Sequence, residues 1–287
     1  MAESVQLVEC PRDAMQGLHT FIPTEKKISY INSLLKCGFH TIDFGSFVSP
    51  KAIPQLRDTA EVLGKLDLSS SPSKLLAIIA NVRGAEDALK FDEISYLGYP
   101  FSISETFQKR NTNATIEQSL GRVEEIQQLC VRHSRELVVY ISMAFGNPYG
   151  DPWNADVAVE WTKRLSSMGI KIIALADTIG VSNPENISYL FSTLIPEFPG
   201  ITIGAHLHTT PGSWKEKMEA AWNAGCRRFD SAVKGFGGCP MATDKLTGNM
   251  ATENVLSFLD EKKVSTGIDR SQFVRSVGEA GSVFPSE

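Results

Sequence analysis

Two short clusters in this chain carry side chains that can bind a cation, hold developing negative charge or move a proton. The first is His206-Leu207-His208. On an extended chain, residues i and i+2 share a face. Two imidazoles would therefore project together, a suitable pair of nitrogen ligands for one metal ion. The second is Arg12-Asp13, just after the apolar run VQLVEC. Asp13 offers an oxygen ligand, and a permanently charged guanidinium beside it can stabilise an enolate or carbonyl oxygen as charge builds. Two nitrogens and a carboxylate suit Mn, Fe, Co or Zn, with Mg tolerated if further oxygens join, and Asn249 could supply an amide oxygen. A third stretch, Gly235-Phe-Gly-Gly-Cys-Pro240, places Cys239 in a glycine-dense loop that permits close backbone approach and hinge motion. Each cluster also has a plain alternative: histidines capping strand ends, a surface ion pair, a tight turn with an incidental thiol.

These residues need a frame that brings them to one end of the molecule. Eight apolar runs recur, at 5–10, 41–48, 75–81, 93–99, 137–146, 170–178, 201–209 and 227–233. Several are almost continuous in Val, Ile and Leu, as suits parallel strands covered on both faces. Helical periodicity lies between them, at 24–37, 115–131, 155–168 and 213–224, with another helix starting at Asn183-Pro184. Thr115 with Gln118 has the spacing of a capping box. This alternation, eight times over, predicts a (β/α)8 barrel of the triosephosphate-isomerase type, with 252–287 as a C-terminal helical extension of one domain spanning 1–287. An open doubly wound sheet is the alternative, but the turn after the first run reads CPRDAMQG and lacks the glycine pattern of a dinucleotide fold. In a barrel, Arg12, Asp13, Asp43, Ser46, Ser104, Glu105, Asp177, Thr178, His206 and His208 would all fall at or near the carboxyl ends of strands, where such folds keep their active sites.

The bulk numbers narrow the function classes. With 287 residues and a formal charge of -5, a polyanion-binding face built on bulk charge is disfavoured, so no nucleic-acid partner is expected. No run approaches the roughly 20 apolar residues of a membrane-spanning helix. The five cysteines include no Cys-x-x-Cys pair, which argues against a disulfide framework and points to a reducing compartment. Neither end shows a leader or retention signal, so a cytoplasmic location is expected.

Taken together, the motifs resemble the metal-dependent barrel lyases and synthases with Arg-Asp after the first strand and His-x-His in the seventh. More narrowly, the chain resembles the hydroxymethylglutaryl-CoA lyases, through VECPRDAMQ (8–16), SFVSPKAIPQ (46–55), SMGIKIIALADTIGVSNP (167–184), GAHLH (204–208) and GFGGCPMATDKLTGNMATE (235–253). The resemblance implies that Asp13, His206, His208 and Asn249 hold a divalent cation, Mg2+ or Mn2+ foremost and Zn2+ or Co2+ also compatible. It implies that Arg12 stabilises the enolate of departing acetyl-CoA, that Cys239 carries protons, and that Asp43 and Asp177 stand close to the reacting atoms. The implied substrate is an acyl-CoA, 3-hydroxy-3-methylglutaryl-CoA or a close analogue, split into acetyl-CoA and a 3-keto acid as in leucine degradation, by a homo-oligomer of two or more chains.

Two departures stand out. The family usually carries Glu where this chain has Asp43. It also follows His-x-His with an acidic residue, where this chain has Thr209. The first withdraws a carboxylate by over an ångström, a misplacement that can cost on the order of a hundredfold in rate. The second removes an expected hydrogen-bond partner of the metal-binding histidines. Two rival readings therefore stay open: a related aldolase or Claisen-type acyl-CoA synthase, and a weakly active barrel that binds metal and acyl-CoA.

Overall fold

The computed structural model describes residues 5–238 and 247–284. Eight parallel strands close into a barrel: β1 (Gln6–Glu9), β2 (Thr41–Ser46), β3 (Lys74–Ile78), β4 (Ile94–Ser102), β5 (Glu136–Ser142), β6 (Ile172–Ala176), β7 (Thr202–His206) and β8 (Arg228–Ser231). Closure comes from β1 lying parallel to β8, with Gln6 opposite Arg228 and Glu9 opposite Ser231. The helices are α1 (Pro11–Gln16), α2 (Thr24–Leu35), α3 (Thr59–Leu63), α4 (Val82–Ala88), α5 (Glu105–Thr112), α6 (Ile116–Arg132), α7 (Ala155–Ser167), α8 (Pro184–Glu197), α9 (Trp214–Asn223), α10 (Thr252–Glu261) and α11 (Arg270–Val283). The closed barrel rules out the doubly wound alternative. Among the described residues, no helix is long and apolar enough to cross a membrane.

The local rules legible in the sequence operate where expected. Thr115 and Gln118 form a reciprocal capping box on α6, Asn154 caps α7, and Asn183 caps α8 ahead of Pro184. Strand alternation divides the core into two layers. Leu76, Ile78, Tyr96, Val138, Tyr140, Ile172 and Ala174 fill the barrel interior. The intervening residues, such as Leu75, Ala77, Val139, Ile173 and Leu175, pack outward in the larger cluster shared with the helices.

Several strands are shorter than the apolar runs that contain them. The sixth ends at Ala176 rather than at residue 178. The seventh breaks at Leu207, after which His208 and Thr209 pair antiparallel with Asn249 and Gly248. This ladder, which the apolar runs do not foretell, carries the segment before α10 across the barrel mouth. The fifth stops before Met143, a buried residue in the left-handed region (φ 61°) whose amide donates to Thr178 Oγ1 at 2.9 Å. The C-terminal extension is two helices. α11 lies along α2, and α10 packs on α9.

Gly98 on β4 limits the interior. A Cβ there would sit 2.5 Å from Ile78 Cδ1, 3.1 Å from Leu76 Cδ2 and 3.2 Å from the Tyr140 ring. Gly98→Ala should overpack this layer and lower stability by roughly 1–3 kcal/mol, read as a shift in the urea midpoint without a change in slope.

Candidate active site

Arg12 and Asp13 do not sit in a plain turn. Pro11 opens the short helix α1 directly after β1, and its first turn buries both residues. The Arg12 guanidinium is shared by two carboxylates. Nε donates to both Asp43 oxygens at 3.0 and 3.1 Å, Nη2 donates to Asp43 Oδ2 at 2.6 Å, and Nη1 donates to Asp13 Oδ1 at 3.0 Å. Gln16, one turn along α1, accepts from Arg12 Nη1 at 2.9 Å and donates to Asp13 Oδ1 at 2.7 Å. Burial works against charge on Arg12, but Asp43 and Asp13 outweigh it and raise its pKa. For Asp13, burial is overcome by Arg12, His206, His208 and the Asn249 amide, which together hold the carboxyl below its ordinary value. Asp43 is pushed up to about 6 by burial, with Arg12 opposing. The family resemblance sets Asp43 beside the reacting atoms. In this structure its carboxylate pairs with the Arg12 guanidinium and does not line the cavity.

The two histidines meet as the i, i+2 spacing required, with ring centroids 5.4 Å apart. Asp13, His206 and His208 offer ligand atoms that all lie within 4.8 Å of one another. His208 is buried, and its Nδ1 has no hydrogen-bond partner. Burial, with His206 next, pushes its pKa down to about 4, so the ring is neutral near pH 7. A neutral imidazole with an orphaned nitrogen beside a carboxylate and a second imidazole is the donor set that a divalent cation satisfies, so the residues fit such an ion. Asn249 stands against this cluster. Its Nδ2 donates to Asp13 Oδ2 and to the Phe236 carbonyl, both at 2.8 Å.

The acidic partner that Thr209 does not supply comes from another strand. Asp230 on β8 places Oδ2 3.2 Å from His206 Nδ1, while its Oδ1 accepts from Arg228 Nη1 at 2.8 Å. Sequence reasoning does not single out either residue. Arg228 and Asp230 alternate within RRFDSAV, and that spacing on a barrel strand was the available signal for two charged side chains facing inward.

Asp177 follows β6 and is held by hydrogen bonds from its neighbours. Its Oδ1 accepts from Ser182 N at 3.0 Å, and its Oδ2 accepts from Ser182 Oγ at 2.5 Å and Lys217 Nζ at 2.9 Å. Lys217 donates as well to the carbonyls of Gly180 and His208, at 3.1 and 2.9 Å. Asp177 is thus saturated by neighbours, and with Lys217 it buttresses the backbone of His208.

A cavity of about 410 Å³ opens over these groups. One wall is polar, with Arg12, Asp13, Gln16, His206 and His208. The lining also includes the apolar Val48, Ile53, Ile78 and Pro100, and Arg110 and Asn111 of α5. The Arg110 guanidinium lies 4.8 Å from the Tyr149 ring centroid, and Phe107 stacks on Tyr149 at 6.4 Å. Tyr140 stands edge-on to His206, centroids 5.8 Å apart.

The glycine-dense stretch enters over α1. At Gly237 (φ 90°) a Cβ would lie 2.8 Å from Ala14 Cα and the Asp13 carbonyl, so only glycine permits this approach. Cys239 itself lies outside the described residues.

A closed (β/α)8 barrel whose strand ends bring together a carboxylate and two imidazoles, a donor set suited to a metal ion, defines the class. Within that class, the chain matches the HMGL-like family over residues 5–278, and it belongs to that family. It is 34% identical over 284 residues to the cytoplasmic 3-hydroxy-3-methylglutaryl-CoA lyase of Rattus norvegicus, covering 98% of this chain and 80% of that one. It is 34% identical over 262 residues to the hydroxymethylglutaryl-CoA lyase of Bacillus subtilis, covering 90% and 85%. Among solved structures, an HMG-CoA lyase from Acinetobacter baumannii in complex with coenzyme A and 3-methylmalate superposes with a TM-score of 0.90 at 31% identity, covering 99% of this chain and 93% of that one.

One buried carboxyl at the site has no counterpart among the residues singled out from the sequence. Glu9, at the end of β1, accepts from Val233 N at 2.9 Å and from Thr252 Oγ1 at 2.5 Å, mooring both ends of the segment that contains Cys239. Burial pushes its pKa from 4.5 up to about 8, against those two hydrogen bonds. The folded-state value exceeds the unfolded one, so folding takes up a proton between these limits. The resulting stability is full below pH 4.5 and is lost as pH rises through about 8. Glu9→Gln removes the titration. The melting temperature of the variant minus that of the wild type should therefore climb between pH 5 and pH 8 and then level, a trend that differential scanning calorimetry checks. Each tenfold difference in proton affinity between the folded and unfolded chains is worth about 1.4 kcal/mol to that trend.

Proposed function

We propose that this chain cleaves 3-hydroxy-3-methylglutaryl-CoA, or a close analogue, into acetyl-CoA and a 3-keto acid, acetoacetate for the parent compound. The observation that carries the reading is the cluster of Asp13, His206 and His208 beside Arg12 on one wall of the cavity, in a chain of the HMGL-like family. Asp13, His206 and His208 would hold the divalent cation, Mg2+ or Mn2+, and Asn249 would join by offering its amide oxygen in place of its nitrogen. When bound, such an ion polarises the substrate's hydroxyl and carbonyl oxygens.

The chain's own residues account for the rest. Cleavage removes the proton of the tertiary hydroxyl. The O–H pair becomes the new ketone, and the C–C pair passes to the thioester as an enolate, which a donor then protonates. Arg12 holds its fixed charge against that enolate, and the carboxylates of Asp13 and Asp43 keep the guanidinium from turning away. Cys239 is the proton carrier in this reading. Val48, Ile53, Ile78 and Pro100 keep water from the methyl side of the substrate. Arg110 offers positive charge for the phosphates of an acyl-CoA. Asp43 and Asp177 act as positioning groups, the first on Arg12 and the second on the strand of His208. The chain works as one barrel domain over 1–287, in a homo-oligomer, in the cytoplasm, on a leucine-degradation intermediate.

The test is release of acetyl-CoA and acetoacetate from the thioester by the purified protein, abolished by chelation and restored by Mg2+ or Mn2+. A protein that binds the cation but cleaves no acyl-CoA would refute the reading. Arg12→Lys keeps the charge and loses the fork, so turnover should fall roughly a hundredfold or more. A rate unchanged in that variant would remove Arg12 from the mechanism.

Thiol reactivity gives a second prediction. Cys10, Cys37, Cys130 and Cys226 are buried. Burial raises the Cys10 thiol well above its ordinary value, Cys37 to about 11, and Cys130 and Cys226 to about 12. Alkylation of the folded protein should therefore fall first on Cys239, and an acyl-CoA should slow it. Mass-spectrometric mapping reads both effects, and Cys239→Ser should retain binding while losing most turnover.

A further inference from the structure

His206 and His208 are alike in sequence but differ in their surroundings. His208 has a buried Nδ1 without a partner. His206 has its Nδ1 3.2 Å from Asp230 Oδ2. Asp230 is fixed in turn by Arg228, whose Nη1 donates to Oδ1 at 2.8 Å, and the side chains of Asp230 and Arg228 are 0% and 3% exposed. Room for the arginine inside the barrel comes from Gly204, where a Cβ would lie 2.9 Å from Arg228 Nη1. A carboxylate bound to a guanidinium accepts hydrogen bonds and donates none.

We propose that Asp230, clamped by Arg228, is a positioning residue that holds the proton of His206 on Nδ1 and so presents Nε2 to the cation. His206 is then a ligand set before the metal arrives, whereas His208 is oriented by the metal itself. This inference rests on the cation site of the proposed function.

The geometry also answers a rival use of the same carboxylate. Cys10, His206 and Asp230 form a second group with ligand atoms within 4.8 Å of one another. Arg228 already places a fixed positive charge on Asp230, which opposes a second cation there. The Cys10 thiol points back to the Val8 carbonyl at 3.8 Å. Asp230 therefore serves His206, and through it the site of Asp13 and His208. Carboxylates that bind the far nitrogen of a metal-bound histidine fix its tautomer and raise its basicity, and losing one typically costs about 10–100-fold in metal affinity.

The experiment has two readouts, and neither needs a thioester. In chelator-stripped protein labelled with 15N-histidine, long-range proton–nitrogen spectra should show His206 protonated on Nδ1, with His206→Gln assigning the signal. Mn2+ binding followed by electron paramagnetic resonance should weaken about 10–100-fold in Asp230→Asn and recover in part in Asp230→Glu, with circular dichroism confirming the fold. His206 protonated on Nε2, or Mn2+ affinity in Asp230→Asn within about twofold of wild type, would overturn the proposal. If Asp230→Asn does not fold, the wild-type tautomer decides alone. Intact tautomer and affinity results with no thioester cleavage would instead refute the lyase reading and leave Asp230 in its role.

Discussion

The site depends on one guanidinium held between two buried carboxylates. Arg12 lies almost wholly out of water, and only the forked contact with Asp43 and the single reach to Asp13 make its charge tolerable there. Removing either acid would leave an undercompensated buried cation, so the geometry of the reacting end and the stability of the barrel mouth cannot be varied separately. α1 exists to serve this arrangement. Pro11 starts it at once after β1, and a single turn sets Arg12, Asp13 and Gln16 around one point.

The same arrangement explains the tolerance of aspartate where the family usually carries glutamate. Asp43 follows β2 inward to within 2.6 Å of Arg12 and does not line the cavity. A shorter side chain suffices for a group whose work is done on a neighbour. Likewise, the loss of an acid after His-x-His leaves His206 with a partner, because β8 brings one from the adjacent strand.

Much of the architecture was legible because it rests on local rules: apolar runs, caps, proline at a first turn, and the i, i+2 geometry that joins His206 to His208. What was not legible depends on registers between distant segments. Asp177 looks catalytic in the sequence because it ends an apolar run. Its role is decided by Lys217, 40 residues further on, which periodicity places on a helix but cannot aim. Arg228 and Asp230 look like members of an ordinary strand, since a run of seven residues does not announce which face turns inward until the barrel closes. The ladder of His208–Thr209 with Gly248–Asn249 is too short to leave any periodic trace, yet it sets Asn249 beside Asp13.

The buried charges around the strand ends do not cancel. Five buried carboxyls, Glu9, Asp13, Asp43, Asp177 and Asp230, stand against three buried bases, Arg12, Lys217 and Arg228, and burial raises Glu9 to about 8 and Asp43 to about 6. An interior with more acids than bases meets the cost of burying charge by keeping some carboxyls protonated, so the charge at the barrel mouth varies with pH.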